Sequence, residues 1–355
     1  EESFEIISGE EASWKPGLLK AQGFSIGSHG FAGFSPASQG ENVRRSVAAY
    51  LDAEVYVTND LLLGAALRYE DYTSFGSTTN YKLTAQYSLT DEISLRASHS
   101  TGFRAPTVGQ ANVVNTQTSL VNGELVQSAT FPPTDALSAF YGGKELTPEE
   151  SVSYAAGVVY TEGEFFLTLD YYNIEVTDRI AQTEKIQVES TDYAALRALG
   201  VANPELISTV TYFANDFDTT TQGVDIVANY AMELFNGDTS LSLAYNWNDT
   251  NVDQYSEATG DFKVRRLEEG MPNHRATFTA AQNWDMFSMF VRVNYFGSYF
   301  AVHADDSSDA LTDMASAAAT IDVEASYYVN DSITLSAGAV NLFDQEAERL
   351  ANGIP

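Results

Sequence analysis

Across residues 43–58 apolar and polar side chains alternate with a period of two. Val43, Val47, Ala49, Leu51, Ala53, Val55 and Val57 share one side, and Ser46, Tyr50, Asp52, Glu54 and Thr58 share the other, with Arg45 breaking the apolar side near its start. Successive side chains on a strand point to opposite faces, so the stretch predicts a strand with one apolar and one mostly polar face. The pattern returns over residues 61–70, with a lapse at Leu62, and over 81–89, 93–98, 241–248 and 321–329. Strands in soluble domains average about five or six residues, whereas a strand that crosses a membrane in a barrel needs about nine to eleven. Tyr69, Tyr87 and Trp247 sit on the apolar side near strand ends, where the aromatic girdles of such a barrel lie.

The connections add an independent signal. About thirteen strands are predicted, the first a short one over residues 4–8. The gaps between them alternate: short at 59–60, longer at 73–79, short at 90–92, very long at 104–150, short at 161–163 and long at 177–208. They continue short at 231–238, long at 250–271, tight at Asp285, long at 298–318 and short at 330–331. Tight turns at one end and extended loops at the other are the plan of an outer-membrane barrel, with short periplasmic turns and long extracellular loops. A soluble sandwich has no reason to gather its long loops at one end. The fold class expected is therefore all-β, an antiparallel transmembrane β-barrel wall.

Composition narrows the function. The 355 residues contain no cysteine, which removes disulfides and thiolate metal sites. The formal charge of −31 excludes nucleic acid as a partner, because phosphate binding needs a basic surface. No apolar run reaches the roughly eighteen residues a membrane helix requires, and no Pro/Gly/Ser-rich linker divides the chain. The opening Glu1-Glu2-Ser3-Phe4 has neither the basic start nor the apolar core of a signal peptide, so the chain is expected to start within a mature protein. There is no HExxH pair, GxSxG elbow or P-loop, and His29, His99, His274 and His303 are scattered. Neither an enzyme nor a cofactor is expected.

Six motifs carry a family resemblance. Ser100-Thr101-Gly102-Phe103-Arg104-Ala105-Pro106, preceded by Leu95-Arg96-Ala97-Ser98, resembles a signature in the barrel of TonB-dependent outer-membrane receptors. Leu146-Thr147-Pro148-Glu149-Glu150-Ser151 resembles the opening of that family's next strand, and Asp170-Tyr171-Tyr172-Asn173-Ile174 its D-x-Y-x-I element. Gln222-Gly223-Val224-Asp225, Pro272-Asn273-His274-Arg275-Ala276 and Val340-Asn341-Leu342-Phe343-Asp344 follow in the family's order. The resemblance implies a barrel of 22 strands behind a globular plug and a TonB box. Against that pattern residues 1–355 are one partial barrel domain, without the plug, the early strands and the closing strand. An open sheet leaves edge groups unpaired at several kcal/mol each in hydrocarbon, so this stretch is not expected to span a membrane alone.

On this reading Arg68, Arg96, Asp170, Arg275, Arg292 and Asn294 point into the lumen, together with Asp52, Glu54 and Glu70. Such groups line a path for a polar ligand or hold a plug, as charged rings do in pores. They equally make a ladder of cross-strand ion pairs and hydrogen bonds. Phe103 and Arg104 stand where a strand leaves for the longest loop; they are candidates for substrate or plug contact, or a corner set by Gly102 and Pro106. His303 opens the acidic segment 303–309 and is a further candidate lining residue. That segment lacks the glycine and glutamate of an EF-hand loop, and no metal site is assigned. Residues 191–200 predict a short helix packed on the outer loops, with Thr191 as its cap and Gly200 as its stop.

The function implied by the resemblance is active uptake of a scarce nutrient across the outer membrane of a Gram-negative bacterium. A ferric siderophore is the leading substrate, with cobalamin or an oligosaccharide as alternatives and a passive porin-like channel as another. The implied partners are the TonB complex, through the plug and TonB box, outer-membrane lipid and lipopolysaccharide, and the small-molecule nutrient. A monomer is implied.

Overall fold

The computed structural model describes residues 1–7, 39–121, 124–256, 260–302 and 312–346. Two short strands, β1 (Glu2–Ile6) and β2 (Gly40–Arg44), pair with each other, and β2 continues past Arg45 into the first strand of a large sheet. In chain order the following strands are β3 (Ser46–Tyr56), β4 (Leu61–Tyr72), β5 (Gly76–Ser88), β6 (Ile93–Arg104), β7 (Asn115–Val121) and β8 (Glu124–Thr130). Next come β9 (Glu149–Glu162), β10 (Phe165–Gln182), β11 (Ile186–Gln187), β12 (Ile207–Thr211), β13 (Phe213–Leu234) and β14 (Gly237–Tyr255). The last are β15 (His274–Trp284), β16 (Phe287–Phe296), β17 (Tyr299–Val302), β18 (Thr312–Ala315), β19 (Ala318–Asn330) and β20 (Ile333–Ala339).

Twelve of these form one sheet in the order β3-β4-β5-β6-β9-β10-β13-β14-β15-β16-β19-β20, every strand antiparallel to the one before it. The thirteenth strand expected at residues 4–8 is Glu2–Ile6, and it extends the wall only along β2, at the loop end. All-β antiparallel architecture, long strands and a meander with loops at one end agree with the expectation from alternation.

At one end the strands join through tight connections, of which 163–164, 235–236 and 285–286 are two residues each. Phe235 and Asn236 both adopt positive φ, 53° and 58°, the backbone a two-residue hairpin needs to follow the twist of its strands. At the other end lie 105–148, 183–212, 256–273 and 297–317. One expectation is corrected here: the connection at 73–79 is no loop, because β4 runs to Tyr72 and β5 starts at Gly76. The hydroxyl-rich residues Ser77, Thr78 and Thr79 read as loop composition, yet they continue the ladder with β4.

The two faces separate as the alternation predicts. Leu51, Leu67 and Tyr81 are register neighbours on one face, as are Phe278, Val293 and Ile321 further along. Val47 and Leu83 stay open on this face, at 76% and 49% exposure, and Val323 shares it. No protein layer covers this face among the described residues, and so large an apolar surface marks contact with a non-aqueous partner. His99 and His274 also lie here, each against a tyrosine hydroxyl: Tyr81 Oη to His99 Nε2 at 2.9 Å and Tyr245 Oη to His274 Nδ1 at 2.8 Å.

Burial is concentrated instead at the loop end. There β7, β8, β12 and β11 make a separate four-stranded sheet in which β8 and β12 run parallel. With α1 (Val108–Asn112), α2 (Ala136–Phe140) and α3 (Tyr193–Ala198) the loops 105–148 and 183–212 build a folded cap. Leu137, Val188, Leu196, Ile207 and Val210 form its core. The helix expected over 191–200 is α3, but its N-cap is Asp192 rather than Thr191, and Gly200 follows its end with φ of +92°. The helix α4 (Asp261–Glu269) packs on β14 and β17. No described helix is long and apolar enough to cross a membrane.

Candidate functional site

The polar face of the wall carries separate ion pairs and hydrogen-bonded groups, two of which cross a strand where a side chain is missing. Arg96 on β6 reaches over β9 to Asp170 on β10, with Nε 2.6 Å from Oδ1 and a second guanidinium bond to Oδ2. The strand between them carries Gly157, directly opposite both Arg96 and Asp170. A Cβ at Gly157 would collide with the Asp170 carboxylate, so the glycine opens the route. Gly223 serves Tyr172 in the same way: its ring crosses β13 and meets Asn246 on β14, which also donates to Asp225 at 2.7 Å. Gly223 belongs to one of the sequence motifs and Gly157 to none, and the role of both as crossing points depends on register.

Arg68 pairs with Glu70, whose second oxygen accepts from Tyr72 Oη at 2.8 Å. Asn294 donates to Thr320 and Asp322 at 3.2 and 3.0 Å. Arg292 donates to Thr279 and stacks over Phe290, and Arg275 lies over Phe296. A recess of about 350 Å³ opens on this face, lined by Glu54, Lys82, Gln86, Arg96 and Asp170. Of the groups expected to face the lumen, Glu54, Arg96 and Asp170 meet there. Lys82 and Gln86 were missed as site residues, although their positions on the polar side of β5 were legible.

Phe103 and Arg104 resolve as a corner. Arg104 grips Glu149 with both ends of its guanidinium, Nε standing 2.6 Å from Oε2. These residues begin and end the long loop, and each comes from one of the sequence motifs. Glu149 is 5% exposed and also accepts the Ile180 N–H at 2.6 Å. That third contact needs the register shift in β10 between Val176 and Ile180, where Asp178 takes φ of 54°; a bulge re-aims the strand that carries it. Asn215 completes the corner by bonding both backbone groups of Thr147, at 2.9 and 2.8 Å, and the Asp178 carbonyl at 2.7 Å. On the other side Phe103 packs on Tyr72 and Phe75, and Arg44 bonds the Pro106 carbonyl and Glu2. Nothing local in the sequence marks Asn215 for this role.

Among the titrating groups displaced from their ordinary range are Tyr141 in the cap and Lys263 on the loop helix. Burial, then the hydrogen bond to Asp192 and that carboxylate's charge, push the Tyr141 phenol up to about 12. Lys263 on α4 bonds the Gln182 carbonyl, and burial holds its ammonium below the usual lysine range against the attraction of Glu184 and Asp216. His303 and the acidic segment 303–309 lie outside the described residues.

A two-faced antiparallel meander with a charge-paired inner surface, tight turns below and a folded loop cap above is the wall of a β-barrel membrane protein. The family model described as TonB dependent receptor-like, beta-barrel matches residues 12–342, and the chain belongs to that family. It is 22% identical over 307 residues to the vitamin B12 transporter BtuB of Photobacterium profundum, covering 86% of this chain and 40% of that protein. It is 24% identical over 304 residues to an iron-regulated outer membrane virulence protein of Vibrio cholerae, covering 84% and 41%. Among solved structures the ferric enterobactin receptor PfeA of Pseudomonas aeruginosa superposes with a TM-score of 0.63 at 18% identity, over 86% of this chain and 40% of that one. The siderophore receptor PirA of Acinetobacter baumannii gives 0.59 at 14% identity, over 86% and 42%. The chain thus spans about two fifths of the length of these relatives. The family is one of receptors and transporters, not enzymes.

Proposed function

We infer that this chain is the ligand-selecting wall of an outer-membrane receptor that imports a ferric siderophore with energy delivered through TonB. Residues 1–355 act in it as one barrel domain, seated in outer-membrane lipid and lipopolysaccharide of a Gram-negative cell and working as a monomer. The observation that carries the reading is the loop-end cap. Loops 105–148 and 183–212 hold a hydrophobic core and are pinned at Arg104–Glu149. Preorganised loops reduce the ordering cost of capturing a dilute ligand; a passive pore gains nothing from them. The names of the siderophore receptors that the fold resembles favour an iron chelate, and that of the Photobacterium vitamin B12 transporter favours cobalamin as a second reading. In this reading Arg68, Arg96, Asp170, Arg275, Arg292 and Asn294 hold the lumen wall, Phe103 and Arg104 set the mouth, and His303 belongs to the outer loops.

The test is uptake by the full-length receptor in a host stripped of its own siderophore and cobalamin receptors. Radio-iron delivered as a ferric siderophore should accumulate only when TonB is intact. Accumulation of cyanocobalamin instead moves the assignment to the second reading, and uptake that ignores TonB defeats both.

A further inference from the structure

The hydrogen-bond ladder between β5 and β6 stops at Lys82 and Ser100 although both strands continue, β5 back to Gly76 and β6 on to Arg104. In every other pair of neighbours in the described wall the ladder runs to within one residue of a strand end. Beyond the break, β5 remains paired to β4 and β6 to β9, so the sheet is parted rather than frayed. At its root the Tyr81 N–H donates to the Thr101 hydroxyl at 3.1 Å, a side chain standing where a ladder carbonyl would. We propose that this parting is a lateral binding cleft for a neutral carbohydrate chain.

Its height in the wall fits that role. Leu83 and Tyr81 are the last apolar residues on the outer face of β5, and Thr79 and Ser77 follow. Inside hydrocarbon an unpaired backbone group costs several kcal/mol, and there the ladder is complete. Above the apolar band, where water and sugars supply hydrogen bonds, a parting carries no such penalty.

The chemistry of the lining selects the occupant. The cleft has a volume of about 520 Å³ and is lined by Thr78, Thr79 and Asn80 from β5 and by Thr101, Phe103, Glu150 and Glu175 from β6, β9 and β10. Hydroxyl and amide groups both donate and accept, which matches a sugar hydroxyl. The Phe103 ring offers a platform for the apolar face of a pyranose. Glu150 and Glu175 accept from hydroxyls and repel phosphates, so a neutral glycan is favoured over an anionic one. The Thr78 hydroxyl oxygen is buried and has no hydrogen-bond partner, and a buried polar group of that kind is costly unless something bonds it. The cleft is separate from the lumenal recess and does not rest on the siderophore reading.

The test uses the full-length receptor in a sugar-free detergent and follows binding of maltohexaose as a free neutral glycan and of digalactosyl diacylglycerol as a neutral membrane glycolipid. A Thr79→Cys/Phe103→Cys pair, set across the parting by extending the register, closes it on oxidation; residues 1–355 hold no native cysteine. The parent should bind at least one of the two probes, the reduced pair more weakly because it lacks the Phe103 ring, and oxidation should weaken the binding that remains at least tenfold. Binding of both probes points to soluble glycans, and of the glycolipid alone to the surrounding leaflet. Thr78→Val and Glu175→Gln should each weaken binding about fivefold, and they decide the matter if the cysteine pair does not fold. Equal binding by oxidised and reduced protein, no binding of either probe by the parent, or tighter binding of an extended peptide would overturn the proposal.

Discussion

Replacing Arg104 by alanine and, separately, Glu149 by alanine should have unequal consequences. The Glu149 side chain is 7% exposed and that of Arg104 is 54% exposed. Arg104→Ala strands a buried carboxylate whose remaining partner is the Ile180 N–H. Breaking a buried pair from one side costs about 3 to 5 kcal/mol, and the half-exposed geometry places this one near the lower figure. Glu149→Ala lets the guanidinium return to water and leaves one buried N–H unpaired, a cost of about 1 to 2 kcal/mol. The damage should be local, at the loop ends and the upper parts of β9 and β10. Amide exchange there should therefore rise by about two orders of magnitude in Arg104→Ala and by about one in Glu149→Ala, at roughly 1.4 kcal/mol per tenfold. Protease cutting within 105–148 should rank the variants in the same order. If Glu149→Ala opens the corner as much as Arg104→Ala, or neither opens it, the corner is not held by this pair.

Gly157→Ala should cost about 1 to 3 kcal/mol, the range for overpacking a tight site, because its Cβ collides with Asp170. Asp170→Ala in the same molecule should recover part of that loss, read as thermal unfolding of the full-length barrel; strictly additive effects would refute the crossing. The raised Tyr141 pKa has a sign that can be checked: its contribution to cap stability is complete below pH 10 and is lost as pH rises through about 12. A phenolate absorbance titration of wild type minus Tyr141→Phe should show one group ionising near pH 12, with protease sensitivity of the cap rising over the same window. A difference titration near pH 10 would contradict the burial and Asp192 contact assigned to it.

Much of this architecture is written in local order. The period of two along β3, β5 or β19 states which side chains share a face, because the alternation belongs to each strand's own backbone and needs no knowledge of its neighbours. Loop lengths, turn residues and the six motifs were legible for the same reason, as was membership of the family. The tertiary structure alone decided partnership. Arg96 and Asp170 are 74 residues apart, and Arg104 and Glu149 are 45 apart; register brings them together, and register is a property of pairs of strands. Register thereby makes Arg96 and Asp170 a pair within the wall and Arg104 and Glu149 a pair at its corner. The same holds where Ser77, Thr78 and Thr79 read as loop but form strand, and where β5 and β6 part. Alternation is unchanged on both sides of that parting, since a strand looks the same along the chain whether or not its edge has found a partner.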